Sequence, residues 1–591
     1  MRRSIFTNIL VFSQSILLSQ FSFNGNSQLR YGESENGYIY SESLINTNLR
    51  FGNFTTWMQF EFSDPPELGR SFSGLRKIRL EYQRGPIELM LGDIYNIWGR
   101  GLLLNQFDNQ GIDIDNGLTG LNFQFNNDRY NFNLIYGKAN IWKLDRLDLR
   151  IPSYEVHHNV FASDLEVFVE NYTIGASFLQ TREKHPALVK IPNPPFFKEE
   201  TLGLVHQMKG LRFEYPNDRF DIYGEYVDKT VYHEYDDLLG GQVDSLINKG
   251  NGFFSNVNLY FWDWSFSIDY KRYNFIQLSP DNRGDFSKNY GGVTDFQMPP
   301  ISMREHSSTL LGGINHQVDF NDEIGYQIEV FCPIKDWFTL LVNYSQASRL
   351  NIWEGALGEW APKSSAGVFP LTNPAANPFQ EVYAEIEGYG FDGNFHYQVG
   401  AGFTKDVPSL WINSKTDSMH ELKYQLIKAV TVPTAFDVSL SNGWSMEMKL
   451  EYQQLTNGNW VYFKQNSEVV ADSLYSSEFE DDKEKQYNSI VSIGIGKSPT
   501  WALSLIIDAV SVDEKGNLGE SETNPLERLM GNVMDIDRKC ISLELAYNIT
   551  PTHRLSLMYG TQRGGLVCSN GICRIIPPFD DGFKVNLTSI F

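Results

Sequence analysis

Short stretches in which apolar and polar residues alternate recur along almost the whole chain. In residues 76–83, Ile78, Leu80 and Tyr82 alternate with charged or amide residues, and residues 130–136, 446–453, 541–548 and 583–591 show the same pattern. A period of two predicts β-strands, because successive side chains of a strand point to opposite faces. About two dozen such segments span nearly the full chain. The sequence therefore predicts an all-β fold without a separate soluble domain.

One face of each predicted strand carries large apolar or aromatic residues, and the other carries mostly charged, amide or small residues. Ile135 is an exception, since it interrupts the polar face of residues 130–136. A β-sandwich would bury such an apolar face against a second sheet. A membrane barrel would turn it to lipid and point the polar face into an aqueous lumen. The alternation alone fits both folds.

The lengths of the predicted connections separate the two folds. Long connections are predicted at residues 455–486, 511–538 and 563–581, and short ones between them at 441–444, 498–499 and 549–553. Such an alternation is typical of outer-membrane barrels, which have short periplasmic turns and long external loops. Because bacterial single-chain barrels have even strand numbers, we expect a large antiparallel transmembrane outer-membrane β-barrel of about 24–26 strands.

Both ends of the chain and its tryptophans fit this interpretation. Arg2 and Arg3 precede a mostly apolar run, which predicts a signal peptide in residues 1–25 and a barrel in residues 26–591; a single membrane anchor is the alternative. Tryptophans lie near predicted turns, where aromatic girdles of barrels are found; they are Trp57, Trp98, Trp142, Trp262, Trp264, Trp337, Trp444 and Trp501. The last strand ends on Phe591, which we expect the barrel-assembly machinery to recognise.

Composition excludes several other classes. The formal net charge of −23 argues against a nucleic-acid partner. The 14% aromatic content argues against wholesale disorder. No apolar run after the N-terminus is long enough for a membrane helix. The partner expected from the barrel is outer-membrane lipid.

The chain has four cysteines, and two of them lie close together before the last strand. Cys568 and Cys573 flank a turn signal at Asn570–Gly571 in a predicted external loop. An exported chain reaches an oxidising compartment, so we expect a disulfide between them. A two-cysteine metal site is the alternative, but two thiolates alone make a poor zinc site. For Cys332 and Cys540, pairing and simple burial both stay open.

Two groups of motifs resemble a known family. Near the C-terminus these are residues 562–568 and 571–574, followed by a proline-containing stretch; near the N-terminus they are residues 92–95, 98–102 and 112–116. They resemble a family of uncharacterised outer-membrane β-barrels of Bacteroidota and related phyla. The resemblance implies this fold and the outer membrane of a Gram-negative bacterium as location, but no activity. A long acidic insert at residues 476–485 departs from the family pattern.

The N-terminal motif contains the best candidates for function. Asp93, Arg100, Asp113 and Asp115 are charged residues among apolar ones, and Gly99 and Gly101 flank Arg100. One interpretation is a lumenal charge constriction that selects solutes. The other is a structural ion pair, with Arg100 bidentate to a carboxylate. Asp93 shares the parity of Ile87, Leu89 and Leu91, which places it at the rim of the barrel unless the strand bulges.

No catalytic motif is present, so we expect no enzyme activity, no cofactor and no metal. The pair His157–His158 is interpreted as part of a surface loop. A barrel of this size is wide enough for a lumen. The leading hypothesis for function is therefore a passive pore for hydrophilic solutes. The alternative is a non-conducting surface scaffold, or a secretion-associated barrel, that binds partners through its external loops.

Overall fold

The computed structural model shows a single closed barrel. It describes residues 21–143, 150–192, 195–233, 246–275, 292–314, 316–335, 337–356, 359–407, 410–415, 419–460, 464–465, 479–510, 538–569 and 572–591. Residues 1–20 of the predicted signal peptide lie outside the described residues, whereas residues 21–25 belong to the first barrel strand; the signal peptide stays a prediction. The acidic insert at residues 476–485 falls largely on residues whose side chains are not described.

Twenty-four antiparallel strands form the wall of the barrel. Their bounds are β1 Phe21–Ser34, β2 Ile39–Phe51, β3 Phe54–Ser63, β4 Phe72–Arg84, β5 Ile87–Ile94, β6 Leu118–Asn126, β7 Tyr130–Lys143, β8 Tyr154–Val169, β9 Tyr172–Pro192, β10 Pro195–Pro216, β11 Phe220–His233, β12 Leu246–Phe261, β13 Trp264–Asn274, β14 Asp322–Ile334, β15 Phe338–Ser348, β16 Phe379–Gly390, β17 Phe395–Asp406, β18 Met419–Ser439, β19 Trp444–Trp460, β20 Phe479–Lys497, β21 Trp501–Val510, β22 Arg538–Thr550, β23 His553–Gln562 and β24 Phe579–Ile590. Each strand pairs with the next along the chain.

The first and last strands close the barrel. β1 pairs with β24 from Asn26 opposite Ile590 to Ser34 opposite Gly582. Phe591 continues the seam, because its backbone exchanges two hydrogen bonds with Gly25, of 2.8 and 3.0 Å. Closure removes the free sheet edges that lipid does not tolerate. The predicted fold class is confirmed, at the lower of the two strand numbers.

The outer surface of the barrel is apolar. Alternate residues of the strands are large hydrophobic side chains with high exposure, such as Tyr136 at 63%, Leu211 at 64% and Ile78 at 45%. Trp262 and Trp337, at 98% and 69% exposed, lie at turns, where an aromatic girdle is expected. A soluble protein would not leave so many apolar side chains in water, so this is the lipid-facing surface of a membrane barrel.

The connections alternate in length as predicted. Turns such as 52–53, 85–86 and 551–552 lie at one end of the barrel, which we call the short-turn end. The connections at the other, the long-loop end, run up to residues 275–321 between β13 and β14. Residues 419–438 belong to β18. No helix among the described residues is long and apolar enough to cross a membrane.

The lumen of the barrel is not uniformly polar. In the part of the chain that the structure describes, three connections from the long-loop end fold into the barrel: residues 95–117 (the first inner segment), 292–314 with 316–321 (the second) and 563–569 with 572–578 (the third). Leu102, Leu103 and Leu104 of the first segment are at most 1% exposed. They pack with inward-facing wall residues into one hydrophobic cluster, whose other members include Ile94, Trp98, Ile135, Val160, Leu179, Met208, Val227 and Phe296. One side of the lumen is therefore a dry core.

Several residues lie elsewhere than expected. Trp98 is 5% exposed and belongs to the inner core instead of a girdle. His157 and His158 are not in a surface loop but in β8, where the strand period turns them to opposite faces. Cys332 and Cys540 are both buried, in β14 and β22, and do not pair with each other. Cys568 and Cys573 stand opposite each other in a short hairpin, but their side chains lie outside the described part; their disulfide stays a prediction.

Candidate functional site

A β-bulge in β4 places two cations side by side in the lumen. Gln59 of β3 pairs with Lys77, but the next residue, Phe60, pairs with Leu75, so that Arg76 is the extra residue. Leu75 and Ile78 both face outward, each 45% exposed, while Lys77 is 4% exposed. A bulge lets two consecutive residues leave the alternation. Strand parity alone would have put Arg76 in the lipid.

These cations hold the first inner segment against the wall. Lys77 Nζ lies 2.6 Å from Asp108 and 2.7 Å from Asp115. Arg76 pairs with Glu61 of β3 and reaches to 4.0 Å from Asp115. Asp108 and Asp115 stand opposite each other in a hairpin inside the barrel. Asp115 is thus a lumenal residue, fixed by charge to β4.

Asp113 lies in the same hairpin, facing the third inner segment. Its carboxylate is 3.1 Å from the guanidinium of Arg574, which also donates to the carbonyl of Ile112 at 2.8 Å. Gly69, at φ +104°, lies so close that a Cβ there would be 2.7 Å from the carboxylate of Asp113. Only glycine combines that conformation with the space this carboxylate occupies.

Asp93 lies at the rim, as its parity indicated. It is the penultimate residue of β5 and lies on the outward face, where its carboxylate accepts hydrogen bonds from the backbone N–H of Ile78 at 2.6 Å and from the hydroxyl of Thr119 at 3.0 Å. Gly92 before it has φ +108°, and the regular β4–β5 ladder ends there, at Arg79 opposite Gly92. Asp93 therefore completes the end of that ladder and does not point into the lumen.

Arg100 lies apart from the three aspartates. Gly99 and Gly101, at φ +56° and +86°, form the tight turn that carries it deep into the barrel. Its backbone N–H donates to Glu225 at 2.9 Å, and its guanidinium lies 5.2 Å from the ring centre of Tyr223. The guanidinium borders a cavity of about 400 Å³ beside Asp269. The bidentate pair that the structure shows is that of Arg212 with Asp164, at 2.6 and 2.7 Å.

The pKa values of the two lumenal aspartates are shifted in opposite directions. Burial raises the pKa of the Asp113 carboxyl, and Arg574 offsets this only in part. Burial acts on Asp115 too, but Lys77 outweighs it and holds the pKa of Asp115 below its usual value. Burial and the Asp115 carboxylate raise the pKa of Tyr95, whose hydroxyl donates to Asp115 at 2.9 Å. Asp115 is thus a stable anion and Tyr95 a stable hydrogen-bond donor.

These groups line a cavity of about 720 Å³ at the long-loop end. Besides Asp93, Asp113 and Asp115, it is bordered by Arg76 and Lys77. Such a volume holds a small ligand. Its walls offer charged and neutral hydrogen-bond donors and acceptors at fixed positions, so it can bind a hydrophilic molecule.

The second inner segment crosses the lumen and is anchored to strands on both sides. Near its start, Asp295 lies 3.1 Å from His158 of β8. Further on, His306 lies 2.7 Å from Glu381 of β16, and His316 lies 2.8 Å from Asp406 of β17. These three pairs connect one wall of the barrel to the other.

A short helix between His306 and His316, α1 (Thr309–Gly312), is a further anchor of this segment. The carboxylate of Glu451 in β19 accepts hydrogen bonds from the hydroxyl of Ser308 at 2.8 Å and from the N–H groups of Thr309 and Leu310 at 3.0 and 2.8 Å. Gln453 of the same strand donates to the carbonyl of Leu310 at 2.8 Å. Helix N-termini favour such a carboxylate.

The sequence brought Asp113 and Asp115 to attention but missed the residues that hold them. Lys77 and Arg76 were visible only as strand residues, because a bulge leaves no local signal. Glu451, His306 and His316 gave none either, because their partners are distant in the chain. The exception of Ile135 on a polar face was the single signal of a dry lumen.

The fold of this chain is similar to that of several solved outer-membrane proteins. No curated protein matches the sequence. The fold is similar to that of the copper transporter OprC, with 9% identity, a TM-score of 0.46, and 97% of this chain and 80% of that chain covered. It is also similar to the siderophore receptor PirA from Pseudomonas aeruginosa, with 8% identity, a TM-score of 0.43, and 96% and 80% covered. The outer membrane transporter YddB from Escherichia coli is also similar, with 9% identity, a TM-score of 0.42, and 96% of this chain and 81% of that chain covered.

A family match covers most of the sequence. It extends over residues 12–401 and 510–591, and so leaves out the region that contains the acidic insert. Both motif groups that carried the resemblance lie inside the matched residues. The chain belongs to a family of unknown function, DUF6029.

Proposed function

We propose that the protein is a transport barrel of the Gram-negative outer membrane, closed at rest by its own inner segments and opened for passive diffusion of hydrophilic solutes. The long-loop end faces the outside in this proposal, as in other outer-membrane barrels. The observation that carries it is the second inner segment, which spans the lumen and is held by polar anchors as well as by buried apolar residues such as Phe296 and Leu311. Water can replace the hydrogen-bond partners of such anchors when the segment moves, whereas a fully apolar plug would have no such replacement for its contacts with the wall.

The anchors are few and specific, which makes closure testable. Glu381 and Glu451 hold the segment through His306 and the start of α1. Hydrogen bonds to charged groups contribute about 1.5–3 kcal/mol each. Removing both carboxylates is therefore expected to raise the open fraction by at least about tenfold, since 1.4 kcal/mol is a factor of ten.

Single-channel conductance in a planar bilayer checks this. The unmodified protein should be mostly silent, and the variant Glu381→Ala/Glu451→Ala should show frequent openings. The matched control is Glu387→Ala/Glu447→Ala, which removes two carboxylates from the same strands. Those two groups bond to His396 and Lys449 of the wall, not to the inner segments.

Two results would contradict the proposal. Stable conductance of the unmodified protein on the nanosiemens scale would mean that the inner segments leave a permanent pore. A folded but silent anchor variant would favour the alternative, a surface scaffold.

One observation supports that alternative: β9 and β10, of 21 and 22 residues, form a hairpin longer than the next strand, β11, which has 14 residues. Crosslinking at the cell surface would then identify partners.

A further inference from the structure

The barrel wall is interrupted between β4 and β7. β5 pairs with β4 only up to Arg79 opposite Gly92, so residues 72–78 of β4 have no strand partner on that side. β6 pairs with β7 only up to Thr119 opposite Lys138, so residues 139–143 of β7 likewise extend past it. The gap is about two strands wide and lies above the ends of β5 and β6.

Contacts between the flanking loops close the gap at its top. The backbone N–H of Gly69 donates to the carbonyl of Arg150 at 2.9 Å. The guanidinium of Arg70 lies 4.0 Å from the ring centre of Trp142 at the end of β7. Asp93 and Thr119 form the lower edge. The result is a framed opening, which we call the wall window.

The wall window lies at the border of the lipid-facing surface. Directly below it, Leu91, Ile78 and Tyr136 face outward with 44%, 45% and 63% exposure. Lys138, opposite Thr119 at its lower edge, and Asn140 are polar outward residues of β7, and Trp142 is the next outward residue above them. Behind it stands the hairpin of Asp108 and Asp115. The 720 Å³ cavity therefore includes residues of the outer face as well as of the lumen.

The residues that line this cavity indicate which class of ligand it binds. Carboxylates outnumber cations by seven to four, which disfavours a phosphate or another anion. The inner carboxylates are already paired with Lys77, Arg76 and Arg574, which disfavours a simple cation. Paired charges keep lone pairs and N–H groups that a hydroxyl can use, because a hydroxyl both donates and accepts. The indole of Trp142, 42% exposed, adds an apolar face.

We propose that the wall window is a saccharide-binding site, open to the sugar head of an outer-leaflet glycolipid as well as to a free oligosaccharide. Hydroxyls bind the Asp115–Lys77 pair and Asn140, and a pyranose face packs on Trp142. The lipid border at Tyr136 leaves the acyl chains of a glycolipid outside the barrel. The inference goes beyond the proposed function, because binding requires no opening of the lumen.

Binding to the purified protein in detergent micelles tests it. The probes are rough-type lipopolysaccharide, the free core oligosaccharide released from it by mild acid, and phosphatidylglycerol. Lipopolysaccharide should bind, and phosphatidylglycerol should not. Binding of the free oligosaccharide as well shows that the sugar alone suffices, and binding of lipopolysaccharide alone assigns the site to a membrane-held head group.

Two variants locate the site. Trp142→Ala and Asp115→Asn should each weaken lipopolysaccharide binding by about tenfold. The control is Trp264→Ala, which removes an equally exposed tryptophan (44%) far along the wall. Heat-modifiable migration on gels verifies that each variant is folded.

Three outcomes would overturn the proposal: no saccharide probe binds, phosphatidylglycerol binds as well as lipopolysaccharide, or Trp142→Ala behaves like its control. Because affinities are measured without a bilayer, a failed conductance experiment leaves this result unaffected.

Discussion

At the scale of single residues, the inward face of the barrel separates dry from wet regions of the lumen. Ile135 breaks the polar parity of β7 and is fully buried against the first inner segment. On β19, the inward residues Glu447 and Lys449 have side chains 43% and 54% exposed. The same strand pattern thus faces a core on one side and water on the other.

Substituting Ile135 tests the dry core. Ile135→Asn places an amide inside the hydrophobic cluster and should lower the free energy of unfolding by about 2–4 kcal/mol. Ile135→Val, which removes one methylene, should cost about 0.5–1.5 kcal/mol. Urea unfolding in detergent measures both. Equal stability of Ile135→Asn and the unmodified protein would mean that water reaches this face.

At the scale of elements, the second inner segment depends on ionised pairs. Burial lowers the pKa of His316, but Asp406 and Glu323 outweigh it and raise that pKa to about 9. A base with a raised pKa stabilises the folded state fully below its unfolded pKa of about 6.5 and loses this contribution as pH rises toward 9. Lys271, 2.5 Å from Glu323, is the other cation nearby.

Hydrogen exchange checks this pH dependence. After correction for intrinsic rates, exchange of residues 309–314 and 316–321 should accelerate by at least about tenfold between pH 7 and pH 9.5, since the pKa shift exceeds one unit and each unit corresponds to 1.36 kcal/mol. In His316→Gln the same residues should exchange faster at pH 7 and show little further change. A pH-independent profile in the unmodified protein would exclude His316 as an ionised anchor.

At the scale of the whole molecule, the seam that closes the barrel extends to Phe591. Phe591 bonds to Gly25 across the seam, and its ring centre lies 5.7 Å from that of Phe23. The terminal residue is therefore both a structural contact and, as we propose, the recognition signal for the barrel-assembly machinery. Loss of a structural contact would impair refolding in detergent, whereas loss of the recognition signal would impair assembly in cells.

Phe591→Ala should reduce the amount of folded barrel in the outer membrane several-fold while refolding in detergent stays nearly unchanged. The control is Phe583→Ala, on the same strand, whose side chain is similarly exposed at 41% compared with 49% for Phe591. If Phe591→Ala impairs refolding in detergent as much as assembly in cells, its role is structural alone. Fractionation and heat-modifiable migration measure both yields.

The sequence by itself determined the strands, their outward apolar face, the loop alternation and the barrel class. These follow from a local period of two and from local turn chemistry, both of which are written in neighbouring residues. It also placed Asp93 at the rim by parity.

Only the tertiary structure decided what fills the lumen. Lys77 with Asp108 and Asp115, Glu451 with α1, and His316 with Asp406 join residues that are from about 30 to more than 140 positions apart. No periodic pattern encodes such partners. The bulge at Arg76 and the window above β5 and β6 likewise arise from where ladders end, which depends on the neighbouring strands and not on the strand itself.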